Sequence, residues 1–208
     1  MHTLKDLVLI SLVVLIMTII YSPISAHAAD LTNDSDHDGL TDQAEIKSYY
    51  TDPFNADTDG DSYSDGVEVH SSYDPRNPLR EKLKKIITIS LATQQLTYAL
   101  GPYTLGTFAI SSGLPGTPTP VGIFSLLEKK PFVRYIGTGY DFPHTKWNLK
   151  FKKDGYYIHG AYWHTNFGKP ESHGCVNVSY SNMQNLYNWA DKYTIIHIAN
   201  SQVITKIN

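Results

Sequence analysis

YYIHGAYWHTNFGKPESHGCVN, Tyr156 to Asn177, holds the only cysteine of the 208-residue chain. A lone thiol is an inert core residue, half of an intermolecular bridge, or a reactive group, and its neighbours decide between these. His173 stands two residues before Cys175, Gly174 directly before it, and His159 sixteen residues earlier, a separation that suits two adjacent strands joined by a loop. An imidazole within reach can take the thiol proton, and imidazole or cationic neighbours lower a free thiol from its ordinary pKa of roughly 8.5. Gly174 removes a Cβ from the approach and leaves backbone N–H groups free to meet a developing oxyanion. His159, His164, His173 and Cys175 are also ordinary zinc ligand types, but no C-x-x-C or H-E-x-x-H spacing accompanies them.

The run IHG, a spacer and then SHGCVN resembles the signature of the L,D-transpeptidase catalytic domain, the YkuD-like cysteine enzymes that cross-link or trim bacterial peptidoglycan. The resemblance implies Cys175 as nucleophile, His159 as general base, and the Gly160 carbonyl as the group that orients that base. It implies that Ser172 and His173 shape the site and that backbone N–H groups near Gly174 and Cys175 hold the oxyanion. Asn177 fills a place where many relatives carry Arg. Tyr162, Trp163 and His164 lie in the loop between base and nucleophile and are expected to form a substrate-facing wall. The implied reaction cuts a peptidoglycan stem tetrapeptide between its diamino acid and D-alanine through a thioester, with no cofactor for catalysis. Water in place of an amine makes the same site an L,D-carboxypeptidase. A calcium-dependent wall-adhesion protein with a vestigial catalytic domain is the alternative from another class.

Outward from the motif, SSGLPGTPTPVGIF, residues 111–124, resembles the second signature of the family through Ser112, Gly113, Thr119, Pro120, Gly122 and Phe124. Read on its own it is a proline-fixed crossover between strands. Lys85 to Leu91, Gln95 to Leu100 and GPYTLGTFAISSG alternate apolar and polar residues and read as three strands. Strands punctuated by Gly and Pro predict a mainly β fold, an L,D-transpeptidase-like sandwich with one short helix. Ser179 or Ser181 caps that helix, which carries Met183, Leu186 and Trp189 on one face, and Tyr193 to Ala199 returns as a strand. Tyr135, Tyr140, Phe142, His144, Trp147, Tyr157 and Phe167 concentrate rings around the motif and supply sandwich core.

The start of the chain is of another kind. His2 and Lys5 precede an apolar run from Leu7 to Tyr21 and the small-residue site Ala26-His27-Ala28. This predicts a secretory signal peptide over 1–28 and a secreted or cell-envelope protein with no membrane anchor after cleavage, the alternative being an uncleaved anchor. Export argues against nucleic acid as partner, and the excess of lysines after residue 84 suits an acidic polymer such as the wall.

Between residues 30 and 78 carboxylates dominate, at fixed spacing. Asp34, Asp36, Asp38, Asp42 and Glu45 occupy positions 1, 3, 5, 9 and 12 of a calcium-loop pattern, with Leu40 supplying the position-7 carbonyl; Asp57, Asp59, Asp61, Tyr63, Asp65 and Glu68 repeat it 23 residues later. Gly39 stands at position 6 of the first loop and Ser62 at that place in the second, which predicts a weaker second site. Asp52-Pro53 and Asp74-Pro75 leave little room for the second helix of an EF-hand. The pattern resembles bacterial thrombospondin type 3 repeats, small irregular modules wrapped around structural calcium. The expected layout is repeats over 30–78, a linker over 79–84 and the catalytic domain over 85–208. The repeats are expected to act as a separate spacer or docking arm, open to wall or surface-protein contact, whose unfolding on chelation leaves the catalytic domain intact.

Overall fold

Strand β1, Lys85–Ser90, reads KIITIS, and its β-branched residues put Ile87 and Ile89 fully inside. The computed structural model describes residues 33–201; the expected signal peptide over 1–28 lies outside the described residues. β1 pairs antiparallel with β2, Gln95–Leu100, which pairs antiparallel with β3, Tyr103–Ala109. β4 is Gly122–Ser125, β5 Glu128–Gly137, β6 Tyr140–Lys152, β7 Tyr156–Ala161, β8 Val176–Ser179 and β9 Ile195–Ala199. They form one sheet of order β3-β2-β1-β9-β4 and a second of order β5-β6-β7-β8. Both sheets are mixed: β9 joins β1 in parallel, and β8 joins β7 in parallel. Parallel neighbours need a crossover. Helix Tyr180–Trp189 lies between β8 and β9, capped by Ser179 accepting from the Asn182 N–H, with Met183 and Leu186 buried. The core between the layers gathers Ile87, Leu96, Leu149, Phe151, Ile158 and Ile196. Among the described residues no helix is long and apolar enough to cross a membrane.

The β5–β6 hairpin was not read from the sequence. Its first strand, EKKPFVRYIG, contains charges and a proline, and most of its residues face solvent, so the alternation that marks a half-buried strand is weak. The hairpin is long because β6 must reach from the exposed tip into the core, where Asn148, Leu149 and Phe151 are buried beside β7.

The acidic repeats are more regular than expected. Helix α1, Asp42–Ala44, runs into a π-helical turn, Glu45–Tyr49, and α2 covers Asp65–Ser71. Each ends at a left-handed residue, Tyr50 at φ 59° and Ser72 at φ 63°, two residues before an Asp-Pro pair. The prolines therefore limit each helix to a turn or two without abolishing it. The repeats are also not detached. Leu40 and Tyr49 share a buried cluster with Leu100 and Tyr103 of the catalytic sheet, and Tyr49 and Tyr103 meet edge to face at 5.7 Å. The Tyr103 hydroxyl donates to Asp74. Residues 79–84 are pinned as well: the Leu83 N–H donates to the Ser72 carbonyl (2.7 Å), the Gly101 N–H donates to the Lys84 carbonyl (2.9 Å), and the Leu83 side chain packs on the shared cluster.

Candidate active site

The register of β7 and β8 assembles the site. His159 on β7 stands opposite Asn177 on β8, and Cys175 lies two residues before Asn177, immediately before β8 begins. Residues two apart on an extended chain share a face. The three side chains therefore reach one cleft of about 440 Å³, with Tyr135, Tyr140, Phe142, Gly155, Trp163, His164, Glu171, Ser172 and His173 also lining it.

His159 is almost wholly buried, and its Nδ1 lies 3.0 Å from the Gly160 carbonyl. A carbonyl only accepts, so Nδ1 carries the proton and Nε2 keeps its lone pair. The ring is stacked on Tyr135 at 4.5 Å, and the Tyr135 hydroxyl donates to Asn148 Oδ1 (2.9 Å), the residue opposite His159 on β6. Asn148 in turn donates to the Lys130 and Thr145 carbonyls. Burial pushes His159 down to about 4.

Cys175 is half-buried, and its Sγ lies 3.9 Å from the Gly155 carbonyl. No hydrogen bond joins Sγ to His159 among the described residues. Burial pushes the thiol up to about 11, against a smaller lowering by the Tyr157 N–H. The resting form is thus the thiol, and the lowering that imidazole neighbours suggest is not seen. Desolvation outweighs the nearby imidazoles because His159 is itself buried and neutral, and a neutral ring offers the sulfur no charge.

The loop before the cysteine is tightly held. Gly174 adopts φ 113°, and a Cβ there would stand 2.8 Å from the Tyr156 ring, so the position requires glycine. Its N–H donates to Ser172 Oγ (3.1 Å), and Ser172 Oγ donates to the Cys175 carbonyl. Of the two expected oxyanion donors, the Gly174 N–H is therefore already engaged, and the Cys175 N–H donates to no acceptor among the described residues.

Other expected site residues are sorted by the fold. His173 is exposed at the cleft rim, its ring 4.9 Å from Tyr140. Asn177 Nδ2 donates to His164 Nε2 (2.9 Å), and burial pushes His164 below its usual range. Trp163 lines the cleft, stacked on Phe142 at 3.8 Å. Tyr162 does not line it: it is 49% exposed, and its hydroxyl donates to the Pro143 carbonyl. Its ring packs edge to face behind Trp163 at 5.1 Å and against Tyr180 at 5.9 Å, so it backs the wall without facing the cleft. Tyr135, Tyr140 and Phe142 are cleft residues that the sequence offered only as part of an aromatic cluster. Among the described residues the Cys and His side chains do not converge as a metal-ligand group.

In the repeats, Asp34, Asp36 and Asp38 bring carboxylate oxygens within 4.8 Å of one another, as do Asp57, Asp59 and Asp61. Asp34 Oδ1, Asp36 Oδ2 and Glu45 Oε2 in the first loop, and Asp59 Oδ2 with both Glu68 oxygens in the second, are buried without a partner. The Leu40 and Tyr63 carbonyls accept no hydrogen bond among the described residues. Burial and neighbouring aspartates push Glu45 and Glu68 up to about 7 in the absence of a cation. Orphaned hard oxygens in this number suit a calcium ion. Asp42 and Asp65, expected as ligands, stand outside these two convergent groups and brace the loops: Asp42 accepts from the Ser35 N–H and hydroxyl, and Asp65 from those of Thr58.

The ground for expecting a weaker second loop, a non-glycine residue at positive φ, is present in both loops. Position 6 has positive φ in both loops, Gly39 at 100° and Ser62 at 78°, but so does position 4, His37 at 65° and Gly60 at 78°. Each loop thus holds one glycine and one non-glycine in the left-handed region, at exchanged places.

The two-layer β fold thus brings a histidine of β7 and a cysteine from just before the parallel strand β8 to one cleft, the residue types that thiol acyl transfer uses. The family model described as the L,D-transpeptidase catalytic domain (YkuD) matches residues 84–198, over half of the chain, and the chain belongs to that family. The bacterial TSP3 repeat matches residues 34–56 and 57–70. Among solved structures, an L,D-transpeptidase from Mycobacterium smegmatis is similar with a TM-score of 0.54 and 23% identity, over 57% of this chain and 59% of that one. A Cys-to-Ser mutant of the Enterococcus faecium L,D-transpeptidase is similar with 0.52 and 27%, over 60% and 52%. The catalytic domain of the E. faecium enzyme solved by NMR gives 0.50 and 27%, over 55% of this chain and 96% of that one. The chain spans about three-fifths of the length of the first solved relatives it matches. No curated protein sequence gives a significant match.

Proposed function

We propose that this protein is an exported cysteine L,D-transpeptidase that remodels peptidoglycan through a thioester on Cys175. The observation that carries the reading is the β7–β8 register, which brings His159, Cys175 and Asn177 to one cleft with the His159 tautomer fixed by Gly160. Family membership supports it.

Because thiol and imidazole both rest neutral, no ion pair waits in the site. The Sγ–H proton passes to His159 Nε2 as sulfur attacks the carbonyl carbon between the diamino acid and D-alanine of a stem tetrapeptide. The Cys175 N–H stabilises the oxyanion, the C–N bond breaks, and the protonated imidazole returns the proton to the departing D-alanine amine. An amine of a neighbouring stem then attacks the thioester and restores the thiol. Trp163, Phe142 and Tyr140 form the apolar wall against which the stem lies, and Asn177 and His164 its polar side. No cofactor enters this cycle.

Calcium has its place in the repeats. Asp34, Asp36, Asp38, Glu45 and the Leu40 carbonyl would hold one ion, and Asp57, Asp59, Asp61, Glu68 and the Tyr63 carbonyl another, neutralising carboxylates that otherwise repel. The apolar segment at the start of the chain supports export to the cell envelope.

The test is incubation of the purified protein with a disaccharide-tetrapeptide, with and without an acceptor stem, followed by mass analysis. Release of D-alanine with a cross-linked dimer is expected. A tetrapeptide left intact by the calcium-loaded protein would overturn the reading.

A further inference from the structure

The 111–124 segment, a crossover by its sequence, grips the nucleophile loop through one side chain. Thr119 is 4% exposed. The Gly113 N–H donates to Thr119 Oγ1 (2.9 Å), and Oγ1 lies 2.9 Å from the Gly174 carbonyl. Since that N–H can only donate, the hydroxyl proton goes to the Gly174 oxygen. The two loops meet backbone to backbone: a Cβ on Gly113 would stand 2.1 Å from the Thr117 carbonyl oxygen and 2.8 Å from Gly174 Cα.

The peptide between Gly174 and Cys175 is trans, so its N–H points opposite to its C=O. Anchoring the carbonyl on Thr119 therefore points the Cys175 N–H the opposite way within the same peptide plane, away from Thr119. Cys175, Ser172 and His173 line the cleft and Thr119 does not, which puts the anchor behind the peptide. With the Gly174 N–H taken by Ser172, the Cys175 N–H beside the sulfur donates to no acceptor among the described residues.

We propose that Thr119 is the positioning residue that aims the Cys175 N–H at the oxyanion of the acyl-transfer step, an inference resting on Cys175 acting as an acyl acceptor. Its hydroxyl touches neither substrate nor sulfur, and works by fixing one peptide plane, so that no reorientation is needed when charge develops on the substrate oxygen.

Two reactions at the same sulfur separate this role from a merely structural one. Acylation by imipenem forms an S–C bond to the lactam carbonyl and breaks the lactam C–N bond, the thiol proton ending on the nitrogen, and it passes through an oxyanion. Alkylation by iodoacetamide forms an S–C bond and releases iodide, with the thiol proton lost to buffer and no oxyanion formed. Rates of both are read by intact mass on wild type, Thr119→Val and Thr119→Ser. Thr119→Val is expected to slow acylation tenfold or more and to change alkylation less than twofold, and Thr119→Ser to restore acylation. Thr119→Ala carries the same comparison if the valine variant does not fold. Equal loss in both reactions, unchanged acylation in Thr119→Val, or a serine variant as slow as the valine variant would each overturn the proposal. A wild-type protein that is alkylated but never acylated would overturn the acyl-transfer reading itself, a result visible without any variant.

Discussion

Truncating Tyr49 to alanine tests whether the calcium repeats and the catalytic domain are one unit. The Tyr49 ring lies in the buried cluster with Leu40, Leu100 and Tyr103 and packs edge to face on Tyr103. Removing a large buried aromatic side chain costs about 3 kcal/mol or somewhat more, through lost burial and the cavity left behind. In a cooperative unit of this size each kcal/mol lowers the melting temperature by roughly 2–4 °C. Tyr49→Ala should therefore lower it by about 6–12 °C. Calorimetry of the calcium-loaded protein should show one transition, moved as a whole, and thermal loss of D-alanine release should move with it. Calcium chelation should have the same sign, because the carboxylate clusters repel once the ion leaves and the loop carrying Leu40 and the helical turn carrying Tyr49 are no longer held against the sheet. If instead the catalytic domain of Tyr49→Ala or of the chelated protein melts within a degree or two of wild type while only the repeats become protease-sensitive, the two parts are independent and the shared cluster contributes nothing.

Cys175→Ala should keep the wild-type melting profile and lose all turnover in the tetrapeptide assay, and His159→Ala should lose it as well; substantial D-alanine release from either would remove that residue from its role. Burial raises the thiol to about 11, so it stays protonated through neutral pH, and iodoacetamide alkylation of Cys175 should rise roughly tenfold per pH unit from pH 7 to 10. A rate already flat between pH 6 and 8 would show a resting thiolate and refute the neutral pair. The same shift bears on stability: the unfolded thiol ionises first, so its contribution is complete below about pH 9 and is lost as pH rises toward 11, measurable as a falling denaturation midpoint in wild type relative to Cys175→Ala. Because each calcium loop carries one non-glycine residue in the left-handed region, His37→Gly and Ser62→Gly should strengthen their own loops by similar amounts, about 1 kcal/mol each, seen in calorimetric calcium titration. A gain confined to Ser62→Gly would restore the idea of a weak second site.

The sequence by itself determined the parts whose chemistry is local. The order IHG, spacer, SHGC sets the proposed thiol, base and orienting carbonyl within the one stretch from His159 to Cys175, and alternate aspartates at fixed spacing converge wherever the backbone coils. β1 is legible through its run of β-branched residues, and β2 as the apolar segment that follows it after a turn. Tertiary structure decided what depends on burial and on distant neighbours. The state of the thiol is one such property: imidazoles nearby in sequence suggested activation, while enclosure of His159 by Tyr135 and the surrounding strands leaves both groups neutral. The β5–β6 hairpin is another, since a largely solvated strand such as β5 carries little alternation, and only the pairing of β5 with β6 and of β6 with β7 brings Tyr135, Tyr140 and Phe142 to the cleft. Asp42 and Asp65 fit the ligand spacing, and only the fold shows that their carboxylates also brace the loops by accepting from Ser35 and Thr58. Nor could composition join the acidic module to the sheet, because Leu40, Tyr49, Leu100 and Tyr103 are scattered apolar residues until the fold brings them into one cluster.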